Sequence, residues 1–178
     1  MQIILSHAYI DELEKNKTMN QTHIHLIITH LPIFGSILGG LVLGYGVFTG
    51  SKQTLIAAYL LLIISSLGAG IAYLTGEGAE ETVEKIPGIV KSLIGHHEDL
   101  ALIALISLVT LGISSIFGII FTVKQSVFTS RIAYITLFIS LISFSLVSYT
   151  GYLGGKIRHT EIQGTTTGGI QSDEDEKK

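Results

Sequence analysis

Four stretches of this chain, Leu26 to Phe48, Thr54 to Leu74, Leu100 to Val123 and Ile132 to Leu153, run without one acidic or basic residue. Each reaches the ~20 residues at which a helix rising ~1.5 Å per residue crosses a hydrocarbon core ~30 Å thick. Soluble domains carry about 25% charged residues; this chain of 178 residues carries 14%. The fold expected is all-α, an integral membrane four-helix up-down-up-down bundle whose first partner is the lipid bilayer. A multi-pass protein of the cell (inner) membrane follows from the same pattern. No nucleic-acid partner is expected.

What precedes Leu26 does not read as a secretory signal, because Asp11, Glu12 and Glu14 come ahead of any positive charge except the N-terminus. Residues 1–22 read as a polar N-terminal segment, with Met19 as an alternative start that would make the residues before it non-native. Residues 23–160 form the transmembrane domain, and residues 161–178, with the glycine- and threonine-rich run and the acidic stretch Asp173 to Glu176, form a tail too polar to order itself. Thr49 to Gln53 and Lys124 to Arg131 read as hairpin connections. The connection from Thr75 to Asp99 is longer. In it Val83, Ile86, Ile89, Val90, Leu93 and Ile94 recur at three- and four-residue spacing, the pattern of an interfacial amphipathic helix, with Pro87-Gly88 positioned to break or kink it. Lying on the membrane surface, it would cover the adjacent rim as a lid.

Small residues indicate where the helices approach each other, since close backbone contact replaces the hydrophobic drive between helices in lipid. Gly35 with Gly39 and Gly40 with Gly44 make two small-xxx-small pairs on the first helix; Ser65, Ser66, Gly68 and Gly70, and Ser140, Ser143, Ser145 and Ser148, offer complementary surfaces. Some of these glycines could also leave room for a flat cofactor.

Four antiparallel spans put the start of helix one, the end of two, the start of three and the end of four on one face. All 14 acidic residues and all seven histidines fall on that face, whereas the opposite connections carry only Lys52, Lys124 and Arg131. Lys15, Lys17, Lys85, Lys91, Lys156 and Arg158 flank the spans on the histidine face, which favours it as cytoplasmic; without residues 1–18 the balance nearly closes and the topology stays open.

His30 stands out, because it lies four residues inside the first span, ~6 Å below its boundary. Ionisable groups at such depth usually face the bundle interior or a wet cavity. Pro32 leaves the carbonyl of Ile28 without its helical partner, a local opening for water or a cofactor. On helix three the nearest equivalent is His97, beside Glu98 and with His96 turned ~100° away; if adjacent spans are spatial neighbours, helices one and three are diagonal and can clamp a cofactor between them. The expected cofactor ligands are therefore His30 and His97, with His25 and His159 as alternates nearer the surface. Lys156 and Arg158 would suit haem propionates or lipid headgroups. His30, His97, Glu77, Glu80 and Glu98 could instead supply a mixed metal site for non-haem iron, copper or zinc.

His25-Leu26-Ile27-Ile28-Thr29-His30-Leu31-Pro32 resembles the His-Pro-x-x-Val-His-Phe-Pro opening of a family of largely uncharacterised four-helix bacterial membrane proteins, some fused to Rieske iron–sulfur domains. Thr150 to His159 is similar to that family's closing Gly-x-x-Gly-Gly-x-Leu segment and following histidine. The resemblance covers about residues 23–160 and implies His25, His30, Gly151, Gly154, Gly155 and His159 as motif positions. Leu26 stands where the family often has proline, and His159 follows the double glycine at a shorter interval. The Rieske association implies redox company without a defined activity.

With no cysteine, the chain excludes disulfides, thiolate-ligated haem, Cys-ligated clusters and thiol catalysis. No GxSxG, Walker or HExxH motif occurs, and the spans lack the charged pathway of a pump. Three functions stay open: a small electron-transfer protein holding a b-type haem or metal ion near one face, with partner redox or membrane-complex subunits; a structural or assembly subunit of a membrane complex; and a non-haem His/Glu metal enzyme. Whether the chain is an enzyme is not decided by its sequence.

Overall fold

The structure, a computed structural model, describes residues 12, 13, 16, 17, 20–85 and 91–158. Every apolar stretch is helical: α1 (His30–Thr49), α2 (Lys52–Leu74), α4 (Lys91–Val123) and α5 (Thr129–Arg158), with the short α3 (Gly76–Glu84) between α2 and α4. A helical segment, 20–28, leads into α1 through a turn at Thr29. The break has a local cause, since Pro32 has no N–H to give the carbonyl of Ile28. Asn20–Thr49, Lys52–Leu74, Lys91–Val123 and Thr129–Ile157 are long and apolar enough to cross a membrane.

Local chemistry sets the tight turn after α1. Gly50 takes a left-handed φ of 66° and its N–H bonds Gly46 O; Ser51 then caps α2, its Oγ accepting from Thr54 N at 3.3 Å. In the second hairpin Thr129 Oγ1 donates to Phe121 O at 3.0 Å.

The long helices form a closed ring in which each runs antiparallel to its neighbours. Gly35 lies against Ser65 and Gly39 against Leu62 between α1 and α2; Gly112 lies against Ser66 and Gly118 against Tyr59 between α2 and α4. Between α4 and α5 the contacts are hydroxyl pairs, Ser114 with Thr136 at 2.6 Å and Ser107 with Ser143 at 2.7 Å. The α1–α5 seam, with Gly40 against Ser140 and Gly151 against Ile33, closes the ring less tightly than the other three. α1 and α4 therefore lie on a diagonal.

The distribution of side chains is the reverse of a soluble bundle's. Ser36, Ser65, Ser115, Thr136, Ser140 and Ser143 are buried with Leu43, Tyr59 and Leu62, while Phe48 (89% exposed), Ile27 (76%) and Leu74 (76%) point outward. Exposed apolar surface of this extent is unusual for a soluble protein.

The connection between α2 and α4 differs from the single amphipathic helix its periodicity suggests. α3 ends at Glu84, ahead of Pro87-Gly88, and α4 starts at Lys91, so Leu93 and Ile94 belong to its first turn, Ile94 being buried. Ile86, Ile89 and Val90, like His159 and the tail 161–178, lie outside the described residues. α3 is held to the start of the first helical run: Thr22 Oγ1 donates to Gly78 O at 3.1 Å and meets Thr82 Oγ1 at 2.8 Å. Gly78 permits this, because a Cβ there would collide with the side chain of Gln21.

Candidate functional site

The end of the bundle that gathers the histidines also gathers its most directional side-chain contacts. His25, on the segment leading into α1, places Nδ1 2.8 Å from Ala72 O near the C-terminal end of α2. His97, near the start of α4, places Nδ1 3.0 Å from Thr150 O on α5. A carbonyl oxygen can only accept, so in both rings Nδ1 carries the proton and donates it. In the neutral ring Nε2 is then the basic nitrogen, a lone pair with no proton.

These arrangements repeat one device. In each hairpin a histidine at the entry of one helix donates to the backbone near the exit of the next. Thr75-Gly76 follows the first acceptor and Thr150-Gly151 spans the second. At Gly154 the missing side chain makes room, since a Cβ there would sit 3.2 Å from His97 Cε1; at Gly76 a Cβ would be in ordinary contact, 3.8 Å from His25 Cε1. Both imidazoles are half-buried and come from the two diagonal helical runs.

His30 is placed differently. Its ring is exposed on the outer surface of α1, with Nδ1 donating to Leu26 O of its own helical run at 3.1 Å and its face stacked on Phe34, centroids 6.4 Å apart and planes 11° from parallel. The structure thus joins His25 and His97, and not His30, to backbone carbonyls of neighbouring helices. The reason is angular: five residues of helix separate His25 from His30 by ~140°, and the inward direction of this run at the site falls to His25.

Of the other candidates, Glu77 and Glu98 are exposed and Glu80 is half-buried between α3 and α4. A hydrogen bond to the Glu98 carboxyl, partial burial and the nearby negative charges of Glu98, Glu84 and Glu77 push the Glu80 carboxyl up to about 7. Among the described residues no three His, Asp or Glu side chains converge as a metal site, so His30, His97, Glu77, Glu80 and Glu98 do not assemble one. Lys156 Nζ lies over the Tyr152 ring, 4.9 Å from its centroid, and Arg158 ends α5. His23 and His96 are exposed, and Lys91 pairs with Glu84 at 3.1 Å on the surface.

Sequence reasoning missed the acceptors Ala72 and Thr150, because a backbone carbonyl has no residue signature. The repeated Thr-Gly dipeptide at the ends of α2 and α5 was the signal that could have located them. No family model, no curated protein and no solved structure matches this chain.

Proposed function

We propose that this chain is an integral protein of the cell membrane, a four-helix up-down-up-down bundle that transfers electrons through a b-type haem held by His25 and His97 near one membrane face. One observation carries the reading: two imidazoles from diagonal helical runs are each fixed through Nδ1–H to a backbone carbonyl, which leaves two basic Nε2 atoms at the same end of the bundle. Donation of the second ring nitrogen to a carbonyl is the usual support of a metal-binding histidine, setting its tautomer and raising its basicity.

The donor set favours haem over a non-haem metal. A porphyrin supplies four ligands itself and needs two from the protein, whereas a structural or catalytic non-haem site draws three or more from side chains. Bound haem would supply a one-electron Fe(III)/Fe(II) couple. The chain's own part is to hold the rings: Ala72 and Thr150 orient them, Gly154 keeps the flank of His97 open, and α3, tied to the first helical run through Thr22, shields this end from water. Lys156 and Arg158, at the exit of α5, are suited to the propionates. The family resemblance, with its redox company, agrees with this assignment.

The absorption spectrum of the purified protein tests it. A Soret band is expected in the native protein, is lost or shifted in His25→Ala and His97→Ala, and persists in His30→Leu. A folded native protein without haem after haem-supplemented expression overturns the reading and favours a structural subunit.

A further inference from the structure

His30 is an imidazole on the outside of a helix whose other exposed large side chains are leucine, phenylalanine and Tyr45. Leu26 O takes its Nδ1–H, so Nε2 is an acceptor aimed away from the bundle, and the stacked Phe34 ring extends the flat surface. An acceptor facing hydrocarbon is costly unless a donor meets it there. The same face of α1 leads into a groove. Ile37 follows His30 by seven residues, about 10 Å along the axis and nearly in line with it. There Ile37, Gly40, Leu41 and Gly44 of α1 and Leu137 and Leu141 of α5 line a cavity of about 290 Å³ in the loosest seam of the ring. Ser36 and Ser140 in its wall donate to Ile33 O and Leu137 O of their own helices, and Tyr45 lines it too, so apart from that phenol its lining is apolar in effect.

A ring-binding acceptor near the membrane boundary, continued inward by an apolar groove on the same helix face, matches a ligand with a flat hydroxylated head and a long hydrocarbon tail. We infer that His30, Phe34 and the α1–α5 groove bind a membrane quinol, its ring hydroxyl donating to His30 Nε2 and its prenyl tail lying along Gly40 and Gly44. A phospholipid could lay an acyl chain in the groove, and an ethanolamine or glycerol headgroup could even give the acceptor a proton, but none carries a ring to lie on Phe34. The inference rests on the haem reading for its functional sense, as the partner with which electrons would be exchanged; binding itself needs only the face of α1 and the α5 seam.

The test uses the full chain in phosphatidylcholine nanodiscs and a photoreactive azidoquinone bearing a short prenyl tail, reduced to the quinol before illumination, with adducts mapped by mass spectrometry. Labelling is expected on the peptides carrying residues 30–45 and 137–141 and is displaced by unlabelled quinol. His30→Leu, which keeps an apolar outward side chain, should weaken labelling roughly fivefold to tenfold, the worth of one hydrogen bond. Gly44→Leu should block a prenylated probe and spare a tailless one, with circular dichroism unchanged; a Cβ there meets only Leu137 Cδ1 at 3.9 Å, and the rest of the side chain would enter the groove. A protein lacking both His25 and His97 should still label, which separates failure of the haem assignment from failure of this one. Labelling unchanged in His30→Leu, or displaced equally well by added phospholipid, overturns the quinol site.

Discussion

Polar contacts between helices are made differently at the two ends of the bundle. Around the middle they are hydroxyl to hydroxyl, Ser107 with Ser143 and Ser114 with Thr136, or hydroxyl to carbonyl, Ser65 to Pro32 O. At the histidine end imidazole-to-carbonyl bonds, His25 to Ala72 and His97 to Thr150, join the hydroxyl contacts of Thr22 with α3. Both kinds join helices, but a hydroxyl pair leaves little unsatisfied capacity, whereas an imidazole that donates from Nδ1 keeps a basic nitrogen on its other side. The first kind of contact suffices for packing. On the proposed function the second places ligands, and this difference, more than the number of histidines, would separate a site from a seam.

The sharpest way to break the comparison is to remove the imidazoles. His25→Ala or His97→Ala should abolish stable haem retention and leave the bundle folded, as read by Soret absorbance against circular dichroism. Retention of both native bands in either variant would reduce these two bonds to packing.

Away from the site the converse holds, with large effects on stability and little on the cofactor. Gly118 faces the Tyr59 ring so closely that a Cβ would overlap Cζ, so Gly118→Ala should cost about 1–3 kcal/mol in a detergent unfolding titration. Gly70→Ala, where a Cβ meets nothing within 4 Å, is the neutral partner.

A subtler contrast lies within the double glycine. A Cβ at Gly154 presses His97 at 3.2 Å and one at Gly155 meets nothing, so Gly154→Ala should shift the Soret band or weaken haem binding several-fold while Gly155→Ala does neither. Equal spectra would show that the His97 ring has freedom to move.

The smallest effect should be a pH dependence of the α3 contact. The Glu80 carboxyl, raised to about 7 in the folded chain chiefly by its hydrogen bond to Glu98, binds its proton more tightly there than when unfolded. Its contribution is therefore fully present below the ordinary carboxylate range and lost as pH rises through about 7. Amide exchange in α3, corrected for intrinsic rates, should quicken across that interval, and Glu80→Gln should flatten the profile. A wild-type profile already flat would exclude a shared proton.

The helices were legible because hydropathy and the absence of charge act over ~20 residues at a time, and no neighbour is needed to read them. Much of the glycine and serine stripes likewise identified contact surfaces, with Gly35, Gly39 and Gly40 each meeting an adjacent helix, whereas Gly70 meets nothing within 4 Å and Ser145 is exposed and bonds its own helix. The connection between α2 and α4 was harder to read. Its period-3.6 pattern is shared by one interrupted helix and by a short helix followed by an extended α4, and burial of Ile94 against the bundle goes with the second.

By itself the sequence determined that this chain is all helix, with four segments fit for a bilayer and its acidic and histidine chemistry at one end, since composition and topology alone fix those outcomes. Which histidine faces which was decided by tertiary structure. His25 and His30 differ by ~140° around one helical run, and only the direction of the neighbouring helices turns the first toward the carbonyl of Ala72 and leaves the second facing out. The carbonyls of Ala72 and Thr150 became partners for the same reason: every residue has one, and only packing brings a particular one within 3.0 Å of an imidazole.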